Sequence, residues 1–128
     1  MILEDQLIED YQRLTVSLRA NFTVKTKIVI FTFTGQLDAF SEKQFKNFIT
    51  SNLEKNPLPF IIDLSKIDFL DSSGLGALVQ TAKEVKKLKL KFFVIGNSRV
   101  GQTIKLVRLG DFLNLESNLD DAFSKLKS

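Results

Sequence analysis

Three residue types are missing from this 128-residue chain: cysteine, histidine and tryptophan. Without cysteine the chain can form no disulfide, no thiol nucleophile and no thiolate metal site. Without histidine it lacks the usual general base near neutral pH and the commonest zinc ligand. These absences exclude a Ser-His-Asp or Cys-His enzyme and leave only an oxygen-ligand site for a hard cation such as Mg²⁺. No cofactor is expected.

Long hydrophobic segments are also absent. The longest apolar runs, such as Ile28–Phe33 and Phe92–Ile95, are far shorter than the roughly 20 residues that a membrane-spanning helix needs. Four acidic residues between positions 4 and 10 make the N-terminus unlike a signal peptide. The composition, 44% hydrophobic and 26% charged, is that of an ordinary globular domain. We therefore expect a cytoplasmic protein without a membrane partner.

Positive charge is concentrated in one short segment, although the net charge is only +3. Five lysines lie near one predicted helix-to-strand junction: Lys83, Lys86, Lys87, Lys89 and Lys91. We interpret them as a solvated face whose aliphatic stems cover apolar surface, with a binding patch as the less favoured alternative. No aromatic residues are interleaved with them, as a platform for single-stranded nucleic acid would require. No direct nucleic-acid partner is expected.

The N-terminal part of the chain predicts a pair of strands. Leu14–Ala20 alternates apolar and polar residues, as a half-buried strand does, and Lys27–Thr34 is rich in β-branched and aromatic residues. Residues 21–26 would join the two strands as an antiparallel pair. Gly35–Asp38 is expected to form the loop that follows.

The first predicted helix has clear signals at both ends. Ser41 is a good N-cap, and Gln44 stands three residues later, at the spacing of a capping box. Phe40 and Phe45 occupy the two positions of a hydrophobic staple. Asn56-Pro57 ends the helical pattern.

The rest of the chain alternates strands and helices. The predicted elements are a buried strand Phe60–Leu64, a loop Ser65–Leu70, a helix Ser73–Leu88, a strand Leu90–Ile95, a helix Val100–Leu109 with Gly110 at its C-terminal cap, a short strand Phe112–Leu115 and a helix from about Leu119. Strand–helix–strand repeats require crossover connections. The predicted fold class is therefore α/β: one domain over residues 13–128 with a central mixed, largely parallel sheet of 4–5 strands and about four helices, after an N-terminal extension, residues 1–12.

The segment Asp71-Ser72-Ser73-Gly74 places two hydroxyl groups between a carboxylate and a glycine where a strand gives way to a helix. Asp71 or Ser72 can cap the helix by accepting backbone hydrogen bonds. The partial positive charge at a helix N-terminus also favours an anion, including a phosphate carried on Ser73. From these residues alone, capping is the favoured role.

The same segment resembles the signature of the STAS domain family. The resemblance is carried by Leu64-Ser65, by Ile67-Asp68-Phe69-Leu70-Asp71-Ser72-Ser73-Gly74-Leu75-Gly76-Ala77-Leu78 and by Gly35-Gln36-Leu37-Asp38. In order and spacing it runs from about residue 14 to residue 126. Within the family, the chain is most similar to bacterial anti-sigma factor antagonists.

This resemblance implies a phosphorylation switch. In the family the second hydroxyl residue of the tetrad is the phosphoacceptor, which corresponds to Ser73. An anti-sigma factor acts as the serine kinase, using ATP, and a serine phosphatase reverses the modification. The unphosphorylated antagonist sequesters the anti-sigma factor and frees a sigma factor for transcription, whereas the phosphorylated antagonist releases the anti-sigma factor.

The resemblance also implies roles for the neighbouring residues. Asp71 and Ser72 would shape the turn and cap the helix. The implied partner-binding residues are Gly35, Gln36, Leu37, Asp38, Gly74 and Leu75. For Asp38, a simple turn or cap role is equally compatible with the sequence. The N-terminal extension is longer than a minimal family member needs, so it is a candidate for homodimer contacts or for no role at all.

Two other functions stay open at this point. A STAS-type domain can act as a constitutive adaptor or scaffold without a phosphorylation switch. Alternatively, Asp63, Asp68 and Asp71 could hold Mg²⁺ near the end of a central strand, where α/β proteins commonly bind ligands, and support a phosphate-handling enzyme. With the family resemblance, the sequence favours a non-enzymatic binding protein controlled by phosphorylation over either alternative.

Overall fold

A computed structural model describes residues 11–127 and shows one six-stranded sheet. The strands are β1 (Gln12–Arg13), β2 (Leu18–Lys25), β3 (Ile28–Leu37), β4 (Phe60–Leu70), β5 (Phe92–Gly96) and β6 (Leu115–Glu116). They lie side by side in chain order; β1–β2 and β2–β3 pair antiparallel, and the remaining pairs are parallel. The predicted α/β class and mixed, largely parallel sheet are confirmed. The sheet has more strands than the 4–5 expected because residues 12–13 add a short edge strand.

Within residues 11–127 four helices accompany the sheet, as expected: α1 (Glu42–Lys55), α2 (Ser72–Lys87), α3 (Ser98–Leu106) and α4 (Leu119–Lys127). The first three each connect two neighbouring parallel strands and pack in the main core. The α4 helix packs on the opposite face of the sheet. Among residues 11–127, no helix is long and apolar enough to cross a membrane.

The main core is built from the alternating inward side chains of the strands and the apolar stripes of α1, α2 and α3. Aromatic rings dominate it: the Phe33 and Phe45 ring centroids are 4.6 Å apart, and Phe60 stacks on Phe92 at 5.4 Å. A smaller apolar layer beneath α4 contains the buried residues Ile28, Ile61, Ile95 and Ala122. The strands of a sheet covered on both faces are expected to be apolar on both faces. This explains the continuous apolar run that predicted the strand at residues 60–64.

The prediction of the first strand, Leu14–Ala20, is wrong in its position, because β2 covers Leu18–Lys25. The strand continues through residues 21–25, which were expected to connect two strands, and Val24 in this part of it is buried. The chain instead reverses at Thr26 and Lys27, whose φ angles are 48° and 63°. Two consecutive positive φ angles are typical of a tight hairpin turn, although threonine and lysine seldom adopt positive φ angles.

Two segments expected to be loops are strands. Ser65–Leu70 forms the second half of β4, and Gly35–Leu37 completes β3. The two strands pair here across register irregularities that fall between residues 32 and 36 of β3. Such irregularities break the period of two, so polar residues in these segments resembled a loop.

The remaining differences lie near the chain ends. The α3 helix ends at Leu106 rather than Leu109, and Arg108, with φ 60°, takes the left-handed position that we expected at Gly110. The short strand predicted at residues 112–115 is displaced, because a turn occupies residues 111–114 and β6 covers only Leu115–Glu116. Gln12, expected in the N-terminal extension, pairs with Ala20. Residues 1–10 of that extension lie outside the described residues.

Candidate functional site

The junction between β4 and α2 places the predicted tetrad at the end of the sheet where β3 and β4 finish. Asp71 has an extended backbone, with φ −100° and ψ −175°, and the helix begins directly after it. Its side-chain Oδ1 accepts a 2.8 Å hydrogen bond from the backbone amide of Gly74. This bond satisfies one of the free N–H groups in the first helical turn. The predicted capping role of Asp71 is confirmed.

Ser72 and Ser73 occupy the first two positions of α2, with Ser72 exposed and Ser73 partly exposed. Within residues 11–127, neither side-chain hydroxyl makes a hydrogen bond to the protein. Because Asp71 caps the helix, neither hydroxyl is needed for that purpose. The Ser73 hydroxyl is therefore chemically free at the positive end of a 16-residue helix.

Gly74 fixes the start of α2 against the end of β3. A β-carbon on Gly74 would overlap the carbonyl oxygen of Leu37, and Leu37 is fully buried. The Asp71 amide also points to this carbonyl oxygen, at 3.4 Å. Leu37 and Gly74, both predicted to bind a partner, are thus brought together, but as packing residues beneath the surface.

Gly35 and Gln36 lie at the last part of β3, beside the turn that precedes β2. Gly35 has a φ of 113°, and a β-carbon there would overlap the carbonyl oxygen of Ser17. The Gln36 amide donates a 2.9 Å hydrogen bond to the same oxygen. Because Leu37 is buried, Gln36 is the residue of this segment whose side chain reaches solvent most fully. Leu75, in α2, is partly exposed.

Asp38 and Ser41 form a hydrogen-bonded turn between β3 and α1. The Asp38 amide donates to Ser41 Oγ at 3.0 Å, and the Phe40 amide donates to Asp38 Oδ1 at 3.0 Å. Ser41 Oγ donates in turn to the Gln36 carbonyl oxygen at 2.9 Å. These contacts give Asp38 a turn role; a partner-binding role for it stays a prediction. Ser41 occupies the predicted N-cap position of α1, but its side chain makes no capping hydrogen bond to the helix.

The predicted hydrophobic staple between Phe40 and Phe45 is also absent, because the two side chains lie in different environments. Phe40 is 84% exposed, whereas Phe45 is fully buried. Phe69 is 48% exposed and lies opposite Gln36 in the β3–β4 register. Large apolar side chains that are exposed together can mark an interaction site. Neither residue was predicted at the surface, because the spacing placed Phe40 in the staple and Phe69 in a loop.

The acidic residues proposed for Mg²⁺ are not brought together. Asp63 Oδ1 accepts a hydrogen bond from the Ser65 amide at 2.9 Å, and Asp71 Oδ1 caps α2. Among residues 11–127, no group of three acidic side chains is arranged to hold a metal ion. The Mg²⁺ alternative therefore has no site in the described part of the chain.

The comparison with protein families agrees with this geometry. A family model described as the STAS domain matches residues 19–122, which include every element from β2 to the first half of α4. The chain belongs to the STAS domain family. The predicted family is confirmed. The antagonists that match this chain in sequence are named as binding regulators rather than as enzymes.

Individual STAS proteins similar to this chain are anti-sigma factor antagonists. The anti-sigma-F factor antagonist RsfB of Mycobacterium tuberculosis is 28% identical over 101 residues, or 78% of this chain and 82% of RsfB. The crystal structure of an antagonist from Mycobacterium paratuberculosis superposes with a TM-score of 0.80 at 24% identity, covering 88% of this chain and 96% of that one. Unphosphorylated SpoIIAA, an antagonist also solved in its phosphorylated form from Bacillus, gives a TM-score of 0.70 at 18% identity, with coverages of 84% and 96%.

Proposed function

We propose that this STAS domain is an anti-sigma factor antagonist whose affinity for its partner is controlled by phosphorylation of Ser73. The observation that carries the proposal is the free, partly exposed Ser73 hydroxyl beside a cap that does not depend on it. The names of the similar proteins support the antagonist role, and the SpoIIAA structures concern a relative with a phosphorylated form.

The kinase in this proposal is an anti-sigma factor that binds ATP. The γ-phosphoryl group passes from ATP to Ser73 Oγ, the hydroxyl proton is released, and ADP leaves. The antagonist supplies the acceptor oxygen and no catalytic group, consistent with its lack of histidine and cysteine. A serine phosphatase then transfers the phosphoryl group to water and restores the hydroxyl.

The fold is expected to tolerate the modification. A phosphate adds about −1.5 to −2 charges at neutral pH. Ser73 is at the second position of α2, where backbone N–H groups and the helix dipole favour an anion. The nearby Asp71 carboxylate opposes the new charge, but its own hydrogen bond to Gly74 is local and does not involve Ser73. We therefore expect little change in the structure of the antagonist itself.

The surface that would contact the partner does not favour the added phosphate charge in the same way. Phe40 and Phe69 lie at the same end of the sheet as Ser73 and expose apolar surface there. A partner that covers these rings would also remove water from a phosphate on Ser73. Weakening the complex 100-fold needs about 2.8 kcal/mol, and burying an unpaired charge costs at least this much. The switch is therefore a change in affinity rather than a change in fold.

Intact mass spectrometry tests the acceptor and the partner class together. The full chain is incubated with ATP and each ATP-binding anti-sigma factor encoded in the same genome, beside the variants Ser73→Ala and Ser72→Ala. The proposal predicts one added phosphate on wild type and on Ser72→Ala, and none on Ser73→Ala. Phosphate that persists on Ser73→Ala would refute the assignment of the acceptor. Tight binding to an anti-sigma factor without any phosphorylation would instead identify a constitutive adaptor.

A further inference from the structure

The two ends of the sheet differ in their charged residues. The helices α1, α2 and α3 all begin at the end of the sheet where the parallel strands finish. Their last residues therefore lie at the opposite end, where β4 and β5 begin and where the β2–β3 turn lies. We call this the basic end. The cations that the topology brings there come from four separate segments: Lys25 and Lys27; Lys55; Lys86, Lys87, Lys89 and Lys91; and Arg108.

Few acidic residues accompany these cations. Within the same segments the acidic side chains are Glu54, Glu84 and Asp111. The Glu84 carboxylate forms a 2.8 Å ion pair with Lys46, a residue from the earlier part of α1, so its charge is already engaged. The basic end therefore carries a clear excess of exposed positive charge.

Exposed aliphatic side chains lie among these cations. Leu106 is 83% exposed and Val107 is 48% exposed at the end of α3, and Leu88 is exposed at the end of α2. The Lys86 ammonium lies 3.9 Å from the centre of the Phe112 ring, which shows that the end of α2 adjoins the loop after α3. The end of α2 and the segment that follows α3 therefore adjoin at the basic end.

We infer that the basic end is a docking surface for an anionic lipid bilayer. Basic residues near such a surface are attracted by its negative potential, and exposed aliphatic side chains can enter the interface between headgroups and acyl chains. A nucleic acid would use the cations but gain little from Leu106 and Val107. The rings that could stack on bases are also unsuitable, because Phe92 is buried and Lys86 covers Phe112.

This surface is compatible with partner binding at Ser73. Lys87 lies fourteen positions after Ser73 in α2, which corresponds to about 21 Å at 1.5 Å per residue. A bilayer on the basic end would therefore leave the Ser73 turn facing away from the membrane. The inference departs from our sequence-based expectation of no membrane partner, which concerned membrane-spanning segments and interpreted the lysines as a solvated face.

Vesicle sedimentation tests the inference directly. The full chain is mixed at about 0.1 M salt with vesicles of pure phosphatidylcholine or of phosphatidylcholine with 30% phosphatidylglycerol. We expect binding only to the anionic vesicles. Replacing three basic-end cations in Lys55→Gln/Lys87→Gln/Lys91→Gln should weaken binding about 100-fold, since each cation near the surface contributes about 1 kcal/mol. Leu106→Ser should weaken it about 10-fold by removing the exposed leucine.

Matched controls remove the same groups elsewhere. Arg13→Gln/Arg19→Gln/Lys43→Gln lowers the net charge equally with exposed residues outside the basic end, and Val16→Ser removes another exposed aliphatic side chain. Both should bind vesicles like wild type. Equal loss in the two triple variants, or no binding to anionic vesicles, would overturn the inference. Loss in the basic-end triple variant with no effect of Leu106→Ser, together with binding to duplex DNA, would identify a general polyanion site instead.

Discussion

Gly74 packs so closely on Leu37 that a β-carbon at position 74 would overlap the Leu37 carbonyl oxygen. This contact joins the start of α2 to the end of β3 through two residues that are 37 positions apart in sequence. The position of the Ser73 hydroxyl therefore depends on a glycine that is itself buried.

Gly74→Ala should destabilise the fold and displace the first turn of α2. The obstructing atom belongs to the backbone, so it cannot rotate away, and we expect a loss of about 2–3 kcal/mol in the free energy of unfolding. Urea denaturation measures this loss. The control is Gly76→Ala, because a β-carbon there meets no atom within 4 Å. That variant should be stabilised by about 0.5–1 kcal/mol, since alanine favours a helix more than glycine does.

Asp71→Ala should cost about 1 kcal/mol by removing the cap of α2. The carboxylate accepts the Gly74 amide at 2.8 Å, and no other side chain in the described residues replaces it. Asp71→Ser retains a capping oxygen and should recover most of the loss. Thermal unfolding compares these variants with Asp68→Ala, which removes an exposed carboxylate that does not cap a helix. A similar loss in Asp68→Ala would mean that net charge, rather than the cap, is responsible.

Ser41→Ala should destabilise the protein by about 2 kcal/mol, because it leaves buried backbone groups without their hydrogen-bond partner. Ser41 Oγ both accepts from the Asp38 amide and donates to the Gln36 carbonyl oxygen. The comparison is Ser51→Ala, an exposed serine in α1 whose hydroxyl is 3.4 Å from the Phe48 carbonyl oxygen. Its unfolding free energy should change by less than about 0.5 kcal/mol. Equal effects of the two substitutions would contradict the assigned role of the Asp38–Ser41 turn.

Phe40→Ser and Phe69→Ser should each weaken the complex with the anti-sigma factor about 10-fold or more, because large aromatic side chains carry much of the energy of an interface. The chain offers matched controls at the basic end: Leu106 is as exposed as Phe40, at 83% against 84%, and Val107 is as exposed as Phe69, both at 48%. Leu106→Ser and Val107→Ser should leave this affinity unchanged. Isothermal titration calorimetry provides the dissociation constants. If Leu106→Ser and Val107→Ser had the larger effect, the partner would bind at the basic end and the prediction would be wrong.

Much of the fold was predictable because the patterns are local. The apolar stripes of α1 and α2 repeat at the helical period, and the buried strand at residues 60–64 forms a continuous apolar run. The position of β2 was not predictable in the same way. Alternation fits Leu14–Ala20 and Leu18–Lys25 equally well, and only pairing with β3 selects the second.

The candidate site also contains one feature that local spacing predicted and one that it did not. Spacing suggested that Phe40 and Phe45 would meet, yet one is exposed and the other is buried in the core. Spacing cannot show which way the chain enters a helix when the preceding turn is held by other contacts, here the bonds between Asp38 and Ser41. The Asp71 cap, in contrast, was predicted correctly because donor and acceptor are three residues apart.

The sequence by itself excluded chemistry that depends on histidine or cysteine. It also determined the cap at Asp71 and the family signature around Ser73. These features depend on residue identity or on contacts within one helical turn. The tertiary structure decided that Leu37 and Gly74 meet, that Phe40 is exposed, and that cations from four segments gather at one end. Such features depend on strand order and register, which arise from many weak contacts between distant residues and leave no local pattern.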